Sequence, residues 1–288
     1  MFENSLIAVV IFALVIGAAV FAQEGAGSDQ PAKQPEVKSE TPSPAPELPS
    51  VDEIVNKANL MAYYQGADGK AKVKMTITDK KGQARLREFV ILRKDIKDGG
   101  DQNYYVYFQK PADVRKMVFM VHKHTDPATD DDRWLYLPGL DLVKRIAAGD
   151  KRTSFVGSDF LYEDVSGRSL AEDAHELTKT TDELFVIKNV PKAPESVEFS
   201  YYDVSIDRAT FIPMKMEYYD RKGRLYQIIE TEKIETIQDF PTVVKSVVLD
   251  LNTGSKTEME FSDVQYDINL GDIFTERYLR RPPKEARR

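Results

Sequence analysis

The sequence contains no cysteine, three histidines and one tryptophan in 288 residues. Without cysteine there is no disulfide, no thiolate nucleophile and no cysteine-ligated zinc. There is also no lipid-acceptor cysteine, so the chain is not itself a bacterial lipoprotein. An oxidising compartment is compatible with it, because it has no thiol to form a disulfide. Positive charge is in short supply: 40 Lys and Arg face 47 Asp and Glu, a formal net charge of −7. That balance argues against a nucleic-acid partner, which calls for a basic face, and gives no general attraction to anionic membranes.

Signatures of catalysis are missing too. His122 and His124 stand two apart near Asp126, Asp130, Asp131 and Asp132, but the spacing matches no metal-ligand pattern. Aspartates around Pro127 are ordinary turn residues. Gly157-Ser158-Asp159 is not a G-x-S-x-G elbow, His175 has no local partner, and no phosphate-cradling glycine loop occurs. The expectation is a protein without catalytic residues, metal or cofactor.

What is present begins with a continuous apolar run over 6–22, closed by Val20-Phe21-Ala22. Small residues at two of those positions, 20 and 22, fit a secretory signal cleaved after Ala22. Met1-Phe2-Glu3-Asn4-Ser5 has no basic residue, however, and the run is nearly long enough to span a bilayer. Signal peptide and uncleaved N-terminal anchor both stay open, and either would deliver the rest of the chain across a membrane. Residues 23–50 carry Pro31, Pro35, Pro42, Pro44, Pro46 and Pro49 among Ser, Glu, Lys and Ala. With almost no large apolar side chain this stretch cannot offset the entropy of ordering, and it is expected to be a semi-extended, disordered linker.

Residues 51–288 are expected to be the folded domain. Ser50 and Glu53 make an S-x-x-E capping box, and Val51, Ile54, Val55, Ala58, Met61 and Ala62 recur on one helical face. From Lys70 the period changes to two, with Ala71, Val73, Met75 and Ile77 alternating against polar residues. Further alternating or aromatic runs follow to residue 266, separated by hairpin chemistry such as Asp220-Arg221-Lys222-Gly223 and Asn252-Thr253-Gly254. They amount to about eleven strands in an antiparallel meander, near the number at which an open sheet must curl. The segment 152–167 breaks the pattern. It reads as a loop with one helical turn capped by Ser158, and its aromatic content requires an apolar surface to pack on.

Three stretches carry a resemblance. Asp132-Arg133-Trp134-Leu135-Tyr136-Leu137-Pro138, then Lys144-Arg145-Ile146, then Ser154-Phe155-Val156-Gly157-Ser158-Asp159-Phe160 resemble the LolA-like family of outer-membrane lipoprotein-sorting proteins. The Phe274-Thr275-Glu276-Arg277-Tyr278-Leu279 ending is similar to that family's close. The resemblance implies a mainly β fold: a strongly curved, incompletely closed antiparallel half-barrel, with the N-terminal helix and a helical or loop plug on its concave face. It implies non-catalytic carriage of lipid or of lipoprotein acyl chains in the periplasm. An inner-membrane transporter and an outer-membrane acceptor would be partners, and the carrier a monomer. The alternative is a periplasmic module that partners a membrane transporter and carries nothing. The proline-rich linker is not part of the basic carrier pattern.

Burial of an acyl chain gains about 0.8 kcal/mol per methylene, and it needs an apolar lining. Candidate linings are Met75 and Ile77; Met117 and Phe119; Met214, Met216 and Tyr218; and Met259 and Phe261, each set sharing one strand face. Such faces equally fit an ordinary core. Trp134, Tyr136, Phe155 and Phe160 are candidates for the mouth of the cavity, or for a structural plug at one end. Lys144, Arg145, Lys151 and Arg152 form a local basic cluster that could meet lipid phosphate or an acidic segment, or simply be a solvated face.

Overall fold

The computed structural model describes residues 48–126 and 128–287. The signal or anchor expected over 1–22 and most of the linker expected over 23–50 lie outside the described residues. Among the described residues no helix is long and apolar enough to cross a membrane.

Helix α1 (Val51–Tyr63) opens as its sequence directs, with the Ser50 hydroxyl accepting the Glu53 backbone N–H at 3.2 Å. The Glu53 carboxylate instead takes the Lys57 ammonium one turn on, at 2.7 Å. Ile54, Val55 and Ala58 form the buried stripe. Strands then follow in hairpin succession: β1 (Asp68–Thr78), β2 (Ala84–Asp95), β3 (Gln102–Lys110), β4 (Val118–Lys123), β5 (Asp132–Leu137) and β6 (Leu142–Ile146). After a crossing segment come β7 (Asp173–Thr180), β8 (Leu184–Pro191), β9 (Phe199–Asp207), β10 (Pro213–Asp220), β11 (Leu225–Ile237), β12 (Phe240–Asp250) and β13 (Ser255–Tyr266). Two short turns of helix, α2 (Arg277–Arg280) and α3 (Lys284–Arg287), end the chain.

All thirteen strands join one antiparallel sheet in the order β6-β5-β4-β3-β2-β1-β13-β12-β11-β10-β9-β8-β7. The count exceeds the expected eleven or so, and the short β5–β6 and β7–β8 pairs are full members at the two ends. The larger correction is topological. A simple meander would leave the first and last strands at the edges. Here β1 pairs with β13, from Gly69 opposite Tyr266 to Thr78 opposite Lys256, and the edges are β6 and β7. The half-barrel is therefore open in the middle of the sequence, and residues 147–172 must cross from one edge to the other.

Three clusters of buried side chains hold this arrangement. On the concave face, Val73, Met75 and Ile77 of β1 and Phe89 of β2 pack with Tyr104, Val106, Phe108, Phe119 and Leu135 against Phe155, Phe160 and Tyr162 of the crossing segment. Beside it, α1 covers Phe185, Ile187, Phe199, Tyr202, Val204 and Tyr218. On the opposite face, Val90, Leu92, Tyr105, Val118, Met120 and Trp134 are covered by Leu270, Ile273, Phe274, Leu279 and Ala286 of the C-terminal segment. The Asp68 carboxylate starts that segment by accepting the Ile268 and Leu270 N–H groups at 2.7 and 2.5 Å, and Tyr105 donates its hydroxyl to the Tyr278 carbonyl at 2.8 Å. Strands β2 to β5 are thus sandwiched, which accounts for near-continuous apolar runs such as Met117-Val118-Phe119-Met120-Val121.

Candidate functional site

The crossing segment is a plug built by short-range hydrogen bonds. Ser154 and Leu161 form an isolated β-bridge, and the Phe155 N–H reaches the Phe160 carbonyl at 2.7 Å. The turn between them uses Val156 and Gly157 at positive φ. The Ser158 hydroxyl closes it by donating to the Phe155 carbonyl at 2.7 Å, so Ser158 caps no helical turn. The helical piece lies further on, a 3-10 turn over Glu163–Val165. Asp159 then pins the turn to the sheet. Its carboxylate accepts the Ser255 hydroxyl at 2.5 Å and the Thr257 hydroxyl at 2.7 Å, and its carbonyl accepts Gln227 at 3.1 Å. Phe155 sits among Phe89, Phe108, Phe119 and Tyr162, with ring centroids 5.6 to 6.1 Å away.

Both ends of the plug are tied by buried charge. Glu163, 1% exposed, meets Arg152 at 2.5 Å, Lys151 at 3.0 Å and Arg168 at 3.4 Å. Arg152 also forks onto Glu198 at 2.8 and 2.6 Å, and Arg168 onto Asp173 at 2.9 and 3.0 Å. Lys151 bonds Glu172 at 2.7 Å. Burial pulls the Glu163 carboxyl up, but Arg152, Lys151 and Arg168 outweigh it and hold it below the ordinary range. Lys151 and Arg152 consequently do not form a surface patch with Lys144 and Arg145. Those two are exposed on β6, whereas Lys151 and Arg152 point inward to carboxylates that the sequence places up to 46 residues away.

Between α1, the plug and the centre of the sheet lies a cavity of about 340 Å³, within the range of small-molecule sites. Its lining is mostly apolar and includes Met61, Phe89, Ile91, Val106, Val165 and Val264. Of the candidate lining residues, Phe155, Phe160, Met216, Met259 and Phe261 face it. Met75, Ile77, Met117 and Phe119 are on the same side of the sheet but are consumed by the core around Phe155, and Tyr218 by the core under α1. Met214 is half-buried and does not line the cavity. Trp134 and Tyr136 belong to the other face, beneath the C-terminal segment. Strand alternation makes Leu135 and Leu137 the inward residues of β5, so the expected aromatic mouth divides between two sides of the sheet.

The polar residues on the cavity wall include Gln65, Lys70, Arg93, Asp164, Thr242 and Tyr266. At the end of α1, Arg93 donates to the Tyr63, Gln65 and Gly66 carbonyls at 2.6, 2.7 and 2.6 Å, which satisfies helix-terminal acceptors and fixes the helix over the cavity. Thr242 and Tyr266 share a hydrogen bond at 2.9 Å. Gly167 adopts φ +78°, and a Cβ there would lie 2.5 Å from the Tyr63 ring, so only glycine lets the plug close onto α1. Asp164 is the acidic wall residue. It accepts the Leu161 N–H at 2.7 Å, and burial pushes its carboxyl up to about 6 against the pull of that bond and of Arg152.

The histidines stand apart from the cavity. His122 bonds the Phe274 carbonyl at 2.7 Å and lies against Trp134. His124 sits 3.5 Å from both Asp101 and Asp132. His175 is bonded to Asn189 and the Leu170 carbonyl at the β7 edge. Sequence reasoning missed the wall contributions of α1 (Met61, Ala62, Tyr63), of β11 and β12 (Thr231, Val243), and of Pro213 beside Met216 on β10. The long helical stripe running on to Met61 and Ala62, beyond the buried Ala58, was the available signal.

An open antiparallel half-barrel with a plugged concave face and an apolar cavity under its first helix is the architecture that can be compared with known proteins. A family model described as an uncharacterized protein matches residues 100–281. A DUF1329 family protein from Desulfovibrio piger superposes with a TM-score of 0.72 at 28% identity, over 80% of this chain and 98% of that one. A domain assigned to outer membrane lipoprotein sorting from Vibrio parahaemolyticus gives 0.71 at 27% identity, over 80% and 97%. A LolA superfamily protein from Nitrosomonas europaea shares the fold, with a TM-score of 0.63 at 19% identity over 80% and 100%. No curated protein matches the chain. The chain belongs to the family whose model matches residues 100–281, and it shares its fold with the LolA superfamily protein.

Proposed function

We propose that this protein is a periplasmic carrier or acceptor that holds a lipid or lipoprotein acyl chain in the cavity beneath α1, without performing chemistry. The observation that carries this reading is the mostly apolar cavity of about 340 Å³ left unfilled between α1, the plug and the sheet. A well-packed core leaves few voids larger than water, and each methylene transferred into such a space gains about 0.8 kcal/mol. The lipoprotein-sorting relative supports the same role. On this reading residues 1–22 export the domain and 23–50 tether or trail it, while residues 51–288 do the carrying.

Native mass spectrometry of the exported protein is expected to show co-purified lipid, and an apolar fluorescent dye to bind and be displaced by it. Met216→Trp, which fills the cavity from a half-buried position, is expected to abolish dye binding while leaving the circular dichroism unchanged. Absence of lipid together with absence of dye binding would overturn the reading.

Asp164 makes the cavity pH-sensitive. Above pH about 6 its wall carries a carboxylate, and below that the carboxyl is neutral. Burying an acyl chain against a charge is less favourable than against a neutral group. Dye affinity is therefore expected to rise as pH falls through about 6, and Asp164→Asn to give a flat, high-affinity profile. A titration in which the variant keeps the wild-type pH dependence would remove Asp164 from this role.

A further inference from the structure

At the outer end of β5 and β6, exposed leucines and cations meet. The hairpin turn Pro138–Leu140 presents Leu140 at 73% exposure, and Leu142 follows at 45%. Lys144 and Arg145 are exposed on the same strand. The C-terminal segment is docked beside this turn: Arg280 donates to the Asp141 carboxylate at 2.8 Å and to its carbonyl at 3.2 Å, and its guanidinium lies over the Tyr136 ring at 5.8 Å. Residues 276–288 contain six basic and two acidic residues in a chain whose net charge is −7. Arg277, Arg281 and Arg287 are exposed.

We propose that this face, the Leu140–Leu142 turn with the basic C-terminal segment beside it, docks on the anionic surface of a lipid bilayer. The combination fits that partner for two reasons. Leucines at a protruding turn can enter the acyl boundary while cations beside them stay at the phosphate level, and clustered Lys and Arg are attracted to anionic lipid within a Debye length. An acidic protein segment would satisfy the cations and leave the leucines in water. The acidic remainder of the molecule would be repelled from the same surface, so the charge distribution also orients the domain. The proposal does not rest on the cavity, which lies on the other side of the sheet.

Trp134 reports on this face directly. It is the sole tryptophan of the chain, and its ring lies 5.3 Å from the Arg145 guanidinium. The full chain is mixed with phosphatidylcholine vesicles with or without phosphatidylglycerol, the acyl chains being brominated or not. Bromine is expected to quench Trp134 emission in the phosphatidylglycerol vesicles and much less in pure phosphatidylcholine. Leu140→Ser with Leu142→Ser, and separately Arg277→Glu with Arg281→Glu, are expected to abolish the quenching. All four side chains are exposed, so folding is preserved. Residues 6–22 could hold every variant at the vesicle, and the loss of quenching still reads this face alone. Unquenched wild-type emission overturns the proposal. So does quenching that persists in both variants, the result also given by a brominated chain in the cavity. Binding to a poly-glutamate peptide that is unaffected by the leucine substitutions would assign the face to an acidic protein instead.

Discussion

Glu163→Gln is expected to cost about 3 kcal/mol of folding stability, read as a lowered urea midpoint, and to expose the plug to limited proteolysis within 147–172. Breaking a buried ion pair costs about 3–5 kcal/mol because a charge is left buried without its partner. The lower figure applies because each of the three cations keeps a second carboxylate: Arg152 keeps Glu198, Lys151 keeps Glu172 and Arg168 keeps Asp173. The pH dependence has a definite sign. Glu163 is held below its ordinary value of 4.5, so its contribution is complete above that value and is lost as pH falls through the depressed one. Wild type and Glu163→Gln should therefore differ fully at neutral pH and converge in strong acid. A constant difference down to the acid transition would show that the cluster is not what ties the plug.

Phe155→Ala is expected to cost about 3–5 kcal/mol, the range for truncating a buried phenylalanine. The side chain is 1% exposed and touches four other rings. Because Phe155 also lines the cavity, the truncation joins new empty space to it. The variant should therefore lose stability yet bind larger apolar dyes than wild type. If stability falls by less than about 1 kcal/mol, the aromatic contacts are not what seats the plug; the comparison is with the range for such truncations.

Much of the local structure was legible. Ser50 announced α1 because a hydroxyl at that position meets an orphan N–H, and period-two alternation marked β1 because only one of its faces is buried in the core around Phe155. Face assignment failed where that condition fails. Around β4 and β5 both faces are apolar, one toward the plug and one toward the C-terminal segment, so Trp134-Leu135-Tyr136-Leu137 carries no alternation from which inside can be told from outside. Trp134 and Tyr136, on the side of the C-terminal segment, are the more aromatic pair, and the sequence offers no counterweight. Met75, Ile77, Met117 and Phe119 pack on the concave face, yet whether a concave side chain meets a cavity or another side chain depends on the position of Phe155, which is set from elsewhere in the chain.

Lys151 and Arg152 show the same limit in charge. Four basic residues within 144–152 look like one solvated face, and two of them are instead partners of Glu163, Glu172 and Glu198, brought to them by the crossing of the plug.

By itself the sequence determined the elements: the capped helix, the hairpin turns, the alternating strands and the break in their pattern at residues 152–167. These follow from interactions between residues within a few positions of each other, which fix φ and ψ or satisfy a nearby backbone group. Only the tertiary structure decided that β1 pairs with β13, that the sheet opens between β6 and β7, and that the chain must cross the concave face to join them. That choice rests on pairing between strands nearly two hundred residues apart, where local preferences are silent and the cumulative twist of the sheet governs which ends meet. The cavity is a consequence of that crossing, since its walls come from α1, the plug and the sheet together.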